Sequence, residues 1–366
     1  MNLHIFDMIS MILISFLLAA SIAVPIINLL YRLNILRHIK VDFSTIIEKR
    51  KIKIGTPIMG GLIIIFPVIL INHLTNFNID TKIPLLIFFT ATFLGGLDDL
   101  LNIFGKKRKR KSLSRIILLI KVHKNPLVRI KYLLLLPWYL YSNVINAFES
   151  NPGSGLFGSE RLFIQIILGF LLGMWTYFRT GGELWIPFIG TINIGLWIIP
   201  FAEIALLGMT NAVNFSDGLD GLSSGMLLSA FLGFSIVAYL TGFFEISLLT
   251  STVIGGLVAY LYFNIPPARV QMGDTGSFGL GALLAVVAFA INKPILLLII
   301  GLPFVIEISS TIIQSLARRV LGRRIFKMAP LHHHLEMLGW SEEKVVMRFW
   351  ILSSVCMIIG LWIAFF

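Results

Sequence analysis

The chain has 366 residues, 57% of them hydrophobic and only 13% charged, with a mean hydropathy of +0.90. Soluble domains carry about 25% charge, which excludes an ordinary soluble enzyme. The net charge of +12 does not argue for nucleic acid either, because membrane proteins gather basic residues in cytoplasmic loops beside anionic lipid.

Apolar runs close to the span-forming length of about 20 residues recur at roughly 8–31, 58–74, 83–101, 161–178, 195–213, 224–242, 246–263, 278–291, 295–318 and 345–366. They predict an all-α polytopic membrane protein with about ten transmembrane helices, folded as a single integral-membrane domain over 1–366. The first run starts near Met8 with no basic segment before it and no small-residue cleavage site, so it is expected to be a retained helix. Cys356 lies in the last run and is the single cysteine, so no internal disulfide forms. Of the 30 Lys and Arg, all but Lys82, Arg179 and Lys293 fall in or beside the loops that follow the odd-numbered runs. The positive-inside rule makes those loops cytoplasmic and both termini external.

Two segments between the runs are not expected to span. Residues 106–150 read as a basic, partly amphipathic cytoplasmic insertion lying on the membrane, opened by Lys106-Lys-Arg-Lys-Arg-Lys111. Its stretch from Tyr132 to Phe148 is short, contains Pro137 and carries Tyr132, Trp138, Tyr139 and Tyr141, the composition of an interfacial segment. The basic run is expected either to rest on anionic lipid or to lend lysines to a nearby site. Farther on, Leu184 to Gly195 predicts a short hairpin on the outer side.

Four polar clusters interrupt this pattern. Leu97-Asp98-Asp99 closes the third run; adjacent carboxylates at a membrane helix end need solvent, a partner or a cation. Asn211-Ala-Val-Asn214-Phe-Ser-Asp217-Gly-Leu-Asp220-Gly221 follows the fifth, and a helical turn there would put Asp217 and Asp220 on one face. Asn264 to Ser277, with Arg269, Gly273, Asp274 and Gly276, is a Gly-rich turn entering a helix. Such a turn can hold phosphate through backbone N–H groups, although the Walker spacing is missing. Met328-Ala-Pro-Leu-His332-His333-His334-Leu-Glu336 follows the ninth run. Three successive histidines cannot all point one way, so the run alone does not make a zinc site; phosphate contact or proton handling is the expectation. A solvated loop is the plain alternative at each cluster, outweighed in each case by the functional reading. Two runs separate each from the next, so all four emerge on the same cytoplasmic face, as a shared site requires.

Gly55-Thr-Pro-Ile-Met-Gly-Gly61, Leu97-Asp98-Asp99, Asn211 to Gly221, Met272-Gly-Asp-Thr-Gly-Ser277 and Arg324 to Glu336 resemble the phospho-N-acetylmuramoyl-pentapeptide transferase family, within the polyprenyl-phosphate sugar-1-phosphate transferase superfamily (glycosyltransferase 4 family). The likeness covers nearly the whole chain except the insertion. It implies transfer of phospho-MurNAc-pentapeptide from UDP-MurNAc-pentapeptide to undecaprenyl phosphate, forming lipid I and UMP with Mg²⁺, the first membrane step of peptidoglycan synthesis. It further implies a multi-pass protein of the bacterial plasma membrane with a cytoplasmic active site, working with membrane lipid and no nucleic acid, with a homodimer as one option. Carried over by position, Asp98, Asp99, Asp274, His332 and His333 are the catalytic candidates. Asp98 is the implied base toward the lipid phosphate, and Asp274 with Asn214 the implied metal ligands. Lys51, Thr56, Asn214, Asp217, Asp220, Asn264 and His334 are the implied substrate-binding residues.

Three positions depart from the family pattern: Asn102 and Ser154 stand where lysines are usual, and Gln271 where an aromatic often precedes Met-Gly-Asp. The nearest alternative is a UDP-HexNAc:polyprenyl-phosphate transferase. A membrane transporter is the alternative from a different class, although no internal repeat is visible, and an inactive scaffold is argued against by the intact Asp98, Asp99 and Asp274.

Overall fold

The computed structural model describes residues 2–37, 55–105, 112–146 and 155–366; Lys51, Ser154 and the run Lys106–Lys111 lie outside them. Lipid offers no partner to a backbone N–H or C=O, so apolar runs that cross it must be helices. In chain order these are α1 (Asn2–Arg32), α2 (Leu62–Thr75), α3 (Ile79–Phe104), α4 (Leu113–Val122), α5 (Pro126–Leu134), α6 (Leu136–Asn146) and α7 (Gly158–Thr180). The hairpin β1 (Glu183–Ile186) and β2 (Gly190–Asn193) follows. Then come α8 (Ile198–Ser216), α9 (Leu222–Leu240), α10 (Phe244–Asn264), α11 (Gly273–Ala290), α12 (Leu297–Ile300), α13 (Leu302–Val320), α14 (Leu331–Met337) and α15 (Glu342–Ala364).

Among the described residues, 8 helices are long and apolar enough to cross a membrane, and α12 with α13, bent by 80° at Gly301, adds a ninth if the pair is one span. The expected run at 58–74 is α2, only 14 residues. At 1.5 Å per residue it is about 21 Å long, short of the roughly 30 Å hydrocarbon core. The ten apolar runs are therefore full-length helices, one bent pair and one short helix. Of the aromatic stretch of the insertion, Tyr132 lies in α5 and Trp138, Tyr139 and Tyr141 in the 11-residue α6, each too short to span, and α4 completes a three-helix group beside them. The hairpin expected after Leu184 is present, with Glu183 opposite Asn193.

The axis of the bundle is α11, buried at every residue from Thr275 to Ala290. Small residues make this possible: Gly279 lies against Thr92 of α3 and Gly281 against Met209 and Thr210 of α8. The helices α9 and α10 are also mostly buried, whereas α1, α7 and α15 keep apolar side chains such as Leu17, Phe170 and Ile351 exposed on the perimeter. At the hairpin end the few cations are all held. Arg179 pairs with Asp80 at 3.1 Å and stacks on Trp175, Lys293 lies 3.7 Å from the Trp185 ring centroid, and Lys82 lies over Phe77.

At the opposite end, α3 and α11 come so close that a Cβ on Gly95 would collide with the main-chain carbonyl of Asp274. Overpacking of this kind costs about 1–3 kcal/mol, so Gly95→Ala is expected to lower the melting temperature of the detergent-solubilised protein clearly. Gly96→Ala is the control, because its Cβ would meet nothing nearer than Thr275 Oγ1 at 3.6 Å. Superimposable melting curves for the two variants would refute the close approach.

Candidate functional site

All four polar clusters meet at one end of the bundle. The C-termini of α3, α8 and α10, the N-termini of α11 and α15, and the short α14 supply them. Asp99 is turned onto the start of α11. Its Oδ1 accepts from the Asp274 N–H at 3.1 Å, and its Oδ2 from the Thr275 N–H and hydroxyl at 2.9 and 2.6 Å. Gly273, at φ +73°, allows that approach; a Cβ there would lie 2.7 Å from Asp99 Oδ2 and 2.9 Å from the Met59 nitrogen. Asp99 therefore serves as the N-terminal cap of α11 from a neighbouring helix.

Asp98 faces the other way. Its Oδ1 accepts from the Leu156 N–H at 2.7 Å and its Oδ2 from Arg161 at 3.2 Å, while the carboxyl also comes within hydrogen-bonding reach of Asp274. Asn102, one helical turn on, accepts from the Gly155 N–H at 3.1 Å. Asn214 donates through Nδ2 to Asp274 Oδ1 at 2.7 Å and to Ser277 Oγ at 2.9 Å, which fixes the orientation of the Asp274 carboxylate.

Ser216 ends α8, so Asp217 and Asp220 lie on a turn and not on a helical face. Asp217 points to Gly273 and Arg37. Burial pushes its carboxyl up to about 8, against the opposing pull of the Arg37 charge and the Gly273 N–H. Arg37 in turn donates to Gln271 Oε1 at 2.8 Å. Asp220 instead accepts from the Ala268 N–H at 3.1 Å, and its own N–H donates to Glu342 Oε1 at 2.8 Å. Asn264 is a brace: its Oδ1 accepts from the Gly221 N–H and the Ser224 hydroxyl, and its Nδ2 donates to the Val270 carbonyl. Thr56 is half-buried and pairs through its carbonyl with the Arg37 N–H at 3.0 Å.

The histidines divide as the run predicts. His332 and His333 form a chain with two carboxylates: Glu307 Oε2 to His332 Nδ1 at 2.9 Å, His332 Nε2 to His333 Nε2 at 3.2 Å, and His333 Nδ1 to Glu336 Oε2 at 2.7 Å. The pair sits on Gly218, where a Cβ would collide with the His332 ring, so it adjoins the Asp217 turn. His334 points away; its Nδ1 accepts from the Lys327 N–H at 3.1 Å and its ring meets Phe326 edge-on.

Four participants were not singled out from the sequence: Arg37, Arg161, Glu307 and Glu342. Glu307 had a readable signal. It is a lone carboxylate inside an apolar run, fully buried in α13, and such a group is by default a candidate functional residue. The arginines carried none, because each sits at a loop margin among many other cations.

Residues 154–292 match the family model described as Glycosyl transferase family 4. The chain is 36% identical to a phospho-N-acetylmuramoyl-pentapeptide-transferase of Clostridium perfringens, over 94% of each chain. It is 33% identical to that of Halalkalibacterium halodurans, over 93% of this chain and 92% of the relative. The corresponding protein of Acetivibrio thermocellus is also 33% identical, over 84% of this chain and 81% of its own. With the helical membrane architecture, the gathered aspartates and these likenesses in hand, the chain belongs to the phospho-N-acetylmuramoyl-pentapeptide-transferase family.

Proposed function

We propose that this protein transfers phospho-MurNAc-pentapeptide from UDP-MurNAc-pentapeptide to undecaprenyl phosphate at the cytoplasmic end of the bundle, releasing UMP and forming lipid I. The observation that carries this reading is the convergence of Asp98, Asn214, Asp217 and Asp274 from separate helix ends, beside the His332–His333 pair. The basic bias of the loops at that end supports its cytoplasmic position.

In the reaction, a lipid-phosphate oxygen forms a bond to the sugar-linked phosphorus, and the bond from that phosphorus to the UMP oxygen breaks. Charge collects on the leaving UMP, so fixed dipoles and cations matter more than covalent assistance. Both Asp98 oxygens are already engaged, by Leu156 and Arg161. A phosphate monoester, with a second pKa of about 6, is mostly dianionic at neutral pH and does not demand a base. Asp98 is accordingly better suited to hold Arg161 toward a phosphate than to take a proton. The His332–His333 pair, seated on Gly218, forms the side of the site next to the Asp217 turn. Asp217, Arg37 and Gln271 lie together beside Gly273 and suit the nucleotide.

Mg²⁺ fits these residues in a particular way. No three His, Cys, Asp or Glu side chains among the described residues are grouped to hold an ion by themselves. Magnesium is commonly held by one or two carboxylates together with substrate phosphates, and Asp98 and Asp274, which approach each other, supply that pair. Asn214 would then orient Asp274. When bound, the ion would offset phosphate charge.

Purified protein in detergent, given labelled UDP-MurNAc-pentapeptide or UDP-GlcNAc with undecaprenyl phosphate, is expected to yield lipid-linked product from the first donor alone. Product from UDP-GlcNAc alone would overturn the substrate assignment. Asp274→Asn is expected to lower turnover by about 100-fold or more, in line with the roughly 2.7–4 kcal/mol lost with one transition-state-stabilising group. Unchanged turnover and Mg²⁺ dependence in that variant would rule out the metal site. Leaving a buried hydrogen-bonding group without its partner costs about 1–3 kcal/mol, and Glu307 accepts from both the main chain and the ring of His332, so Glu307→Ala is expected to be clearly less heat-stable. Its melting curve in detergent measures this directly, and a wild-type midpoint would show that His332 does not depend on Glu307.

A further inference from the structure

Among the described residues, none of the site contacts given above comes from α4–α6. Between Asp99 and Glu149 the sequence holds eleven Lys and Arg and neither Asp nor Glu. Arg115, Lys121, Lys124, Arg129 and Lys131 are all exposed. So are large apolar side chains of the same helices: Leu118 at 60%, Val122 at 70%, Leu127 at 73% and Leu134 at 76%. Among the described residues of the group, Ile116 alone is buried. Three helices of about ten residues with one buried side chain have no core of their own, and short isolated helices are marginal in water. Their apolar faces call for an outside apolar phase.

The attachment of α6 indicates which phase. Trp138 meets Phe163 of α7 edge-on at 5.3 Å between centroids, and Ser142 Oγ lies 3.0 Å from Ser159 Oγ. Phe163, Ile167 and Phe170 form an exposed apolar face on α7, one of the spanning helices. The group is thus continuous with the lipid-facing perimeter, at the end of the bundle where the basic loops gather. A face that combines aliphatic side chains with cations, and has no acidic residue, complements a surface of one charge sign over hydrocarbon.

We propose that α4–α6 form an interfacial platform that seats on an anionic phospholipid leaflet, with Leu118, Val122 and Leu134 in the acyl boundary and the five exposed cations among the lipid phosphates. The inference does not depend on the reaction assigned above. It has a consequence for it, because the chain leaving the platform re-enters the site at Gly155 and Leu156, whose N–H groups bind Asn102 and Asp98. Seating on lipid would brace that edge of the site.

The test uses the full chain in lipid nanodiscs, in a Cys356→Ala background, with an environment-sensitive fluorophore on Leu118→Cys and, separately, on Leu134→Cys. Discs contain phosphatidylcholine alone or mixed with phosphatidylglycerol. A cation near an anionic surface contributes about a fivefold gain in affinity. Quenching by aqueous iodide is therefore expected to be at least about threefold weaker in the anionic discs, with matching quenching by spin-labelled acyl chains. Arg115→Gln, Lys121→Gln, Lys124→Gln, Arg129→Gln and Lys131→Gln together should restore iodide access. A label on Thr191→Cys, in the hairpin, should be reached by iodide in both lipids. Equal and full iodide access at positions 118 and 134 in both lipids would overturn the proposal and leave the face to a protein partner. Protection that survives the five substitutions, or that depends on two copies per disc, would overturn it as well.

Discussion

The start of α11 is the constraint on which the rest of this end depends. A helix that begins inside a bundle exposes N–H groups that no preceding turn can satisfy, and leaving them bare is costly. Asp99 meets that need from α3, at Asp274 and Thr275. It can do so only because Gly95 lets the two backbones nearly touch and Gly273 takes a left-handed turn. Successive residues on a helix point in different directions, so fixing Asp99 sends its neighbour Asp98 toward Gly155–Arg161 and the Asp274 carboxyl. An adjacent acidic pair thus divides into a cap for α11 and a partner for Leu156 and Arg161, and the repulsion expected of neighbours is answered by different partners.

Much of this was legible in the sequence. Apolar run length is a direct report of what lipid requires, so the helices of the bundle follow from composition, and counting runs between polar clusters was enough to bring Asp98, Asn214, Asp274 and His332 to one end. Three successive histidines could not share a direction, and His334 does turn away from the other two. What escaped was set by contacts between distant elements. Nothing local to Asp220 indicates Glu342, or that Asn264 would brace a loop through both ends of its amide. The helical spacing of Asp217 and Asp220 misled because Ser216 ends α8 and the two side chains diverge on a turn. Hydropathy counts residues and not geometry, so it could reveal neither the shortness of α2 nor the bend of 80° between α12 and α13.

The departure from the family pattern at Asn102 has a physical reading in the loop before α7. Asn102, where a lysine is usual, accepts from the Gly155 N–H, and the next N–H, of Leu156, reaches Asp98. An ammonium group could donate but could not accept that bond, so the neutral amide is what ties this loop to α3. With the loop tied, α7 begins beside Asp98 and delivers Arg161 to it. The planar donor fork of a guanidinium matches carboxylate and phosphate alike, which suits arginine better than lysine for a bridging position. Charge lost at position 102 is thereby compatible with a cation at the site. The two are linked through backbone hydrogen bonds, and not through a substitution that either position alone would reveal.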